Sequence, residues 1–204
     1  MRTKFKQWAV DYLGEHKEIV IDKIDKESPF FQNNLSIEIG SGKGDFILGY
    51  SLLHPNDNFL AVEKVETVAG MMAKKLVEAD AKNVLVCPLD ATVVLQSFDD
   101  SSVNTIFLNF VDPWPKKKHA KRRLTFITFL NEYYRILKEG HNLILKTDND
   151  GLYEFTLEEI KQSKFKLISS TFDYKFDENN DAMTEYERKF RALGQPIHRI
   201  VLEK

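Results

Sequence analysis

Short apolar runs alternate along this chain with longer segments that have helical spacing. The apolar runs cover residues 35–39, 58–63, 83–87, 103–110 and 142–146, each of a length typical of strands. Residues 46–50, 68–79 and 126–137 repeat apolar positions three and four apart, which is typical of amphipathic helices. Strands that alternate with helices favour right-handed β-α-β units and a parallel sheet covered on both faces.

The C-terminal part of the sequence departs from this alternation. Residues 164–176 and 195–204 are two further β-rich stretches with no long helix between them, so we expect one to be antiparallel. The predicted fold is α/β: a doubly wound, Rossmann-like sheet, mostly parallel, with one antiparallel strand near the C-terminus. We found no repeat or linker, so we expect one domain over residues 1–204 with a short N-terminal extension, about 1–34.

Composition excludes several classes of protein. No run approaches the roughly 20 apolar residues that span a bilayer, and the N-terminus has no signal-peptide pattern, so we expect a cytoplasmic protein without a membrane partner. Cys87 is the single cysteine. It cannot form an internal disulfide and suggests no metal cluster, so we expect a buried core residue and no metal site.

Positive charge is concentrated in one segment. The chain has 29 basic and 31 acidic residues, yet six of the basic ones fall within residues 116–123. A local concentration of cations in a slightly acidic protein is typical of a site for a polyanion such as RNA.

Glycines and acids follow the predicted strands. Gly40, Gly42 and Gly44 fall between the first strand and a helix expected to begin near Asp45, where glycine allows a sharp turn and close approach to a ligand. Their spacing, G-x-G-x-G, differs from the dinucleotide pattern G-x-G-x-x-G and is a weak signal alone. A simple tight turn is the alternative.

Four carboxylates lie in or just beyond the first four strands: Glu38, Glu63, Asp90 and Asp112. Because ligands of such sheets bind beyond the carboxyl ends of the strands, all four are expected to face one crevice. Glu38 stands between two isoleucines, so it should be partly buried and need a partner. S-adenosylmethionine suits these acids, because it carries a sulfonium, an ammonium and an adenosine. Taken singly, Glu63 is more simply a solvated loop acid.

Four blocks of the sequence resemble those of a known family. They are IEIGSGKGDF, LNFVDPWPKKKHAKRR, LKTDNDGLYEF and MTEYERKFRALGQPIHR, in the family's order and spread over nearly the whole chain. The family is that of the bacterial tRNA (guanine-N7-)-methyltransferases, which have the class I methyltransferase fold. The resemblance implies methyl transfer from S-adenosylmethionine to N7 of a guanine in the variable loop of tRNA, giving N7-methylguanosine.

Site residues carry over from these blocks position by position. The resemblance implies that the cofactor is bound by Glu38, Gly40, Gly42, Gly44, Glu63, Asp90 and Asp112. It implies that Asp112 is also the catalytic acid. It implies substrate binding by Lys116, Asp148, Thr184, Glu185, Tyr186 and Glu187, and RNA binding by Lys118, His119, Lys121, Arg122 and Arg123.

Several alternatives stay open at this stage. Guanine N7 has a lone pair and no proton, so Asp112 either orients the base and offsets developing charge, or acts as a general base. Trp114 either packs beside the strand end or stacks on a flipped base. Thr184 and Glu187 have the spacing of a helix capping box. The rival functions are a nicotinamide-dependent oxidoreductase and a non-catalytic RNA-binding protein, and a monomer and a homodimer are equally allowed.

Overall fold

A seven-stranded sheet forms the centre of the computed structural model, which describes residues 4–204. Residues 1–3 of the predicted N-terminal extension lie outside the described residues. The strands are β1 (Leu35–Ile39), β2 (Asn58–Val62), β3 (Val84–Cys87), β4 (Val103–Asn109), β5 (Leu137–Thr147), β6 (Lys166–Thr171) and β7 (His198–Glu203).

Helices follow most of the strands, as predicted. They are α1 (Gln7–Glu15), α2 (Pro29–Gln32), α3 (Asp45–Leu53), α4 (Glu66–Glu78), α5 (Ala91–Gln96), α6 (Ile127–Ile136), α7 (Asp150–Ile160) and α8 (Glu185–Ala192), with a 3-10 helix at Lys117–Arg122. The expected start of α3 at Asp45 is confirmed.

The sheet has the order β3-β2-β1-β4-β5-β7-β6. The first five strands pair in parallel, and β7 runs antiparallel to both β5 and β6. The prediction of a mostly parallel sheet with one antiparallel strand near the C-terminus is therefore confirmed. Parallel pairing brings the carboxyl ends of β1 to β5 to the same edge.

Both faces of the sheet are covered. Along β2, Leu60 and Val62 join one hydrophobic cluster while Phe59 and Ala61 join another. Successive side chains of a strand point to opposite faces, so the two clusters lie on opposite sides of the sheet. Cys87 is buried, as expected, and burial raises the pKa of its thiol to about 11.

The N-terminal segment packs against the sheet's helical layer. A Cβ at Gly70 of α4 would lie only 1.9 Å from the backbone oxygen of Ala9, so glycine is what lets α1 approach this closely. Val20 also bridges to Val86 of β3. These contacts support the predicted single domain, which stays a prediction.

Candidate active site

The glycine loop joins β1 to α3 and is held against the end of β2. Gly40, Gly42 and Gly44 have φ values of 78°, 57° and 78°, a left-handed region that favours glycine. The Gly40 N–H donates to the Val62 carbonyl at 2.8 Å. The Gly42 N–H donates to Glu63 Oε2 at 3.1 Å. The turn is thus fixed beside the acid that follows β2.

Glu63 is oriented by two backbone groups. Besides Gly42, the Val65 N–H donates to its Oε1 at 2.9 Å. Burial raises the pKa of the Glu63 carboxyl above its usual value, although these hydrogen bonds oppose the shift. A carboxylate held in this way presents its remaining lone pairs in a fixed direction, as recognition of two neighbouring hydroxyls requires.

Glu38 is fully buried in the middle of the site. Its Oε1 accepts a hydrogen bond from Asn109 Nδ2 at 2.9 Å. Burial raises the pKa of the Glu38 carboxyl to about 8, against the opposing effect of the Asn109 hydrogen bond. Within residues 4–204, Glu38 Oε2 has no hydrogen-bond partner. A buried oxygen without a partner is costly, so this atom marks a place where a ligand donor would be stabilised.

Asp90 caps the helix after β3. Its Oδ1 accepts from the Thr92 N–H at 3.0 Å, and its Oδ2 lies 3.6 Å from Lys64 Nζ. The Thr92 N–H lowers the pKa of the Asp90 carboxyl, so Asp90 is an anion at neutral pH. One oxygen of this carboxylate therefore caps the helix, and the other lies near Lys64, which also lines the crevice.

The loop that carries Asp112 has a strained backbone. Phe110 and Trp114, on either side of the acid, have φ values of 53° and 41°. Such conformations cost about 1 to 3 kcal/mol each in a non-glycine residue and persist only when neighbouring contacts impose them. Here the Phe110 N–H donates to the Lys146 carbonyl at 2.8 Å. Asp112 itself is exposed at the end of the strained turn.

Arg123 is hydrogen-bonded to the backbone of the same loop. Its Nε donates to the Pro113 carbonyl at 3.0 Å and its Nη2 to the Trp114 carbonyl at 3.1 Å. The guanidinium also lies 4.1 Å from the centre of the Phe155 ring. Arg123 is buried, so the structure does not support its predicted RNA contact and instead gives it a role in shaping the Asp112 loop.

The other predicted RNA-binding residues lie on or beside the 3-10 helix. Lys118 and Lys121 are exposed, and the Arg122 guanidinium lies 5.0 Å above the Trp114 ring. His119 meets the same ring edge-on. Trp114 is half-buried and also faces the crevice, so packing and base stacking are both compatible with its position.

Helix α8 lines the crevice beside the glycine loop, where Glu185 pairs with Lys43. Thr184 caps it, since its Oγ1 accepts from the Glu187 N–H at 2.9 Å, as the capping-box spacing predicts. The Glu187 carboxylate does not complete the box. It is fully buried and bonded to Lys146 and Arg191, so its predicted contact with the substrate is not available in this arrangement.

A single crevice of about 1230 Å³ brings most of the predicted site together. Its lining includes Glu38, Gly40, Gly42, Glu63, Asp90, Asp112, Lys121, Arg122, Asp148, Thr184, Glu185 and Tyr186. Gly44, Lys116, Lys118, His119, Arg123 and Glu187 are not part of that lining. The four carboxylates thus face one space, with basic residues at its rim.

Two residues that support the site were missed at the sequence level. Asn109 stands in the apolar strand β4 and donates to Glu38, and Lys146 ends the apolar stretch of β5. Both are fully or almost fully buried. A polar residue inside an otherwise apolar strand is a signal that could have identified each of them.

Comparison with known proteins assigns the chain to a family. A family model described as "Putative methyltransferase" matches residues 32–200. A protein of Exiguobacterium sp. named tRNA (guanine-N(7)-)-methyltransferase is 42% identical over 207 residues, covering 98% of this chain and 96% of that protein. One of the same name from Bacillus subtilis is 38% identical over 210 residues, covering 100% and 99%. The chain belongs to this family. The resemblance noted from the four sequence blocks is confirmed.

Solved structures of other methyltransferases share the family fold. An antibiotic-related methyltransferase superposes with a TM-score of 0.61 at 13% identity, covering 100% of this chain and 97% of that one. A SAM dependent methyltransferase from Aquifex aeolicus gives a TM-score of 0.58 at 14% identity, covering 98% of both chains. At such identities the likeness establishes the fold alone, which is the predicted class I methyltransferase fold.

Among residues 4–204, no helix has the length and apolar character needed to cross a bilayer. Over the same part of the chain, no three His, Cys, Asp or Glu side chains are grouped as ligands for a metal ion.

Proposed function

We propose that this protein transfers the methyl group of S-adenosylmethionine to N7 of a guanine in the variable loop of tRNA, giving N7-methylguanosine. The observation that carries the proposal is the crevice in which Glu38, Glu63, Asp90 and Asp112 face one space beside Lys121 and Arg122. Acids suit a cationic methyl donor, and the basic rim suits an RNA backbone. The names of the family's curated members support the same reaction.

The residues of the crevice fit S-adenosylmethionine. The unpartnered oxygen of Glu38 offers an acceptor for the ammonium of the donor. Glu63 offers acceptors for the two ribose hydroxyls, and Asp90 offers one for the adenine amino group. The glycine loop lets backbone approach the ligand where side chains would obstruct it. When bound, the donor supplies a methyl group activated by an adjacent sulfonium.

The protein's part in the reaction is then mainly to position the guanine. N7 carries an in-plane lone pair, so no base is needed to remove a proton before attack. Holding donor and acceptor in line at about 3 to 3.5 Å supplies much of the acceleration. Asp112 accepts from the N–H edge of the guanine and offsets the positive charge that develops on the purine. Asp148 and Thr184 also line the crevice and are proposed to contact the base.

Two other functions fit the site less well. A nicotinamide-dependent oxidoreductase needs no cationic segment beside the fourth strand and usually has the G-x-G-x-x-G spacing. A simple RNA-binding module would leave the buried, unpartnered oxygen of Glu38 without a purpose. Membership of a methyltransferase family favours the proposed reaction over both. The proposed partner is tRNA, so we also propose a cytoplasmic location.

The reaction is tested directly by incubating unmodified tRNA with a methyl-labelled donor and mapping the product. We expect label at N7 of one guanine in the variable loop, and none on a matched tRNA with adenine at that position. Thermal unfolding gives an independent test of the ligand class. S-adenosylhomocysteine at 100 times its dissociation constant should stabilise the protein by about 2.7 kcal/mol, and NADH should not. Label on another base atom, or stabilisation by NADH alone, contradicts the proposal.

The basic segment gives a prediction about salt. Replacing Lys118 and Lys121 by alanine should weaken tRNA binding and reduce the slope of log affinity against log salt by about 1.4 to 1.8, because each phosphate contact contributes about 0.7 to 0.9. Filter binding over a range of salt concentrations measures this slope. Lys161→Ala is the control, since Lys161 pairs with Glu158 on the surface of α7. An unchanged slope in the double variant would place the RNA elsewhere.

A further inference from the structure

Lys146 of β5 is a buried cation, and all three protons of its ammonium group are hydrogen-bonded. Its side chain is 1% exposed. Nζ donates to Asp181 Oδ1 at 3.1 Å and Oδ2 at 3.0 Å, to the Ala182 carbonyl at 2.8 Å and to Glu187 Oε2 at 2.9 Å. An ammonium has three protons, so these acceptors satisfy it completely. The side chain thus joins β5 to the segment that leads into α8.

This contact anchors α8 from within the protein, alongside Arg191, whose Nη1 donates to the Tyr174 carbonyl at 2.9 Å. Of its residues, all of which the structure describes, Glu187 alone is buried. Tyr186 is 51% exposed, so the helix has little apolar anchorage to the core. Its other ion pairs, Lys43–Glu185 and Arg188–Asp45, involve partly exposed side chains and are screened by solvent.

The other oxygen of Glu187 is also occupied. Arg191 Nε and Nη2 donate to Glu187 Oε1 at 3.0 Å and 2.8 Å. The carboxylate is therefore held between Lys146 and Arg191, and Glu187 is not part of the crevice lining. Removing one partner of such a buried pair leaves the other as an uncompensated buried charge, which is costly.

Lys146 also contacts the loop that carries Asp112. Its backbone carbonyl accepts from the Phe110 N–H, and the Phe110 ring stacks on Phe190 of α8 with centroids 6.4 Å apart. The chain then continues through Thr147 to Asp148, which lines the crevice. One residue therefore connects three parts of the proposed guanine site: the Asp112 loop, Asp148 and α8.

We infer that Lys146 is a positioning residue of the methyl-transfer reaction: through Glu187 and Asp181 it fixes α8, and with it Thr184 and Tyr186, against the Asp112 loop. This inference rests on the proposed function. It gives Glu187 a role in anchoring α8. The residue touches neither donor nor base, so it acts through the elements that it holds.

The test uses Lys146→Met in the full-length chain, with Lys161→Met as the matched control on an exposed ion pair. We expect amide hydrogen exchange in α8 to speed up by about tenfold or more while exchange in β1 to β3 is unchanged. We expect the KM for tRNA to rise, or kcat to fall, by about tenfold, while the dissociation constant of S-adenosylhomocysteine changes less than about threefold. The control should resemble the wild type in each measurement.

The readouts separate this inference from the proposed function. Hydrogen exchange requires no activity, so unchanged exchange in α8 overturns the anchoring role whatever reaction the protein catalyses. Equal losses of cofactor affinity and tRNA turnover would indicate general damage and also overturn it. If Lys146→Met fails to fold, Asp181→Asn replaces it, because Asp181 is 12% exposed and the substitution removes only one of the two carboxylates that hold Lys146. That variant should show a smaller loosening that is still confined to α8, and its absence counts against the inference.

Discussion

Replacing Asp112 by asparagine is expected to lower kcat by about 10² to 10³, the usual effect of removing one group that stabilises charge in a transition state. The carboxylate is exposed at the crevice, on a turn fixed by Arg123 and by the strained residues Phe110 and Trp114. Its charge is therefore already placed before the purine becomes cationic. Asparagine keeps the shape of the side chain and can still accept a hydrogen bond, but it has no negative charge.

Single-turnover methylation of tRNA measures this effect, with affinities for tRNA and S-adenosylhomocysteine determined separately. Asp99→Asn is the control, because Asp99 is an exposed partner of Lys26 in the turn before β4, away from the crevice. Nearly full turnover in Asp112→Asn with unchanged tRNA affinity would remove Asp112 from the mechanism.

The same variant distinguishes the two roles left open for Asp112. If the residue is an obligatory general base, asparagine cannot take the proton and turnover should be lost altogether. If it orients the guanine and offsets charge, asparagine still accepts a hydrogen bond, and turnover should persist at about 10² to 10³ below the wild type. We expect the second result, because N7 has no proton to lose.

The sequence predicted the sheet well where strands are short and uniformly apolar. The range 35–39 matches β1 at both ends. The range 142–146 covers only part of β5, which begins at Leu137. Residues 138–141 are polar and include Gly140, so they resemble a turn. They nevertheless belong to β5, at a register shift between the Val103–Leu137 and Thr105–Asn142 pairs. Such irregularities depend on the neighbouring strand and have no periodic signal.

The acids were predictable as a group because parallel strands end at one edge of a sheet. The residues that charged side chains pair with inside the folded protein were not predictable. Arg123 belongs by sequence to a basic run, yet it turns inward to the carbonyls of Pro113 and Trp114. Glu187 belongs to a polar helix, yet it pairs with Lys146, 41 residues earlier in the chain. The local sequence shows that a side chain is charged. Whether that side chain is buried depends on which element, distant in sequence, packs against it.

The buried state of Glu38 leads to a prediction about stability and pH. In the folded protein the pKa of this carboxyl is about 8, against 4.5 for the ordinary group. Between these values the folded protein holds a proton that the unfolded chain has lost. The free energy of unfolding should therefore be highest at low pH within this window and fall as pH rises to about 8, by up to about 1.4 kcal/mol per unit.

Glu38→Gln removes this titration while keeping an acceptor for Asn109. The free energy of unfolding should therefore fall much less with pH in the variant. Glu63, whose pKa is also raised, should account for part of the remaining pH dependence. Chemical denaturation at a series of pH values measures the slope. Glu78→Gln is the matched control on an exposed pair with Lys74. Equal slopes in wild type and Glu38→Gln would contradict a proton on Glu38.

Ligand binding should respond to the same proton. A donor ammonium prefers the ionised carboxylate, so the affinity of the wild type for S-adenosylhomocysteine should rise with pH between about 6 and 8 as Glu38 ionises. In Glu38→Gln the affinity should be about 10- to 100-fold lower, the loss expected for a charged hydrogen bond, and independent of pH in this range. Calorimetry in buffers of different ionisation enthalpy would also detect the proton released by the wild type. A variant that binds as tightly as the wild type at every pH would mean that the ammonium lies elsewhere in the crevice.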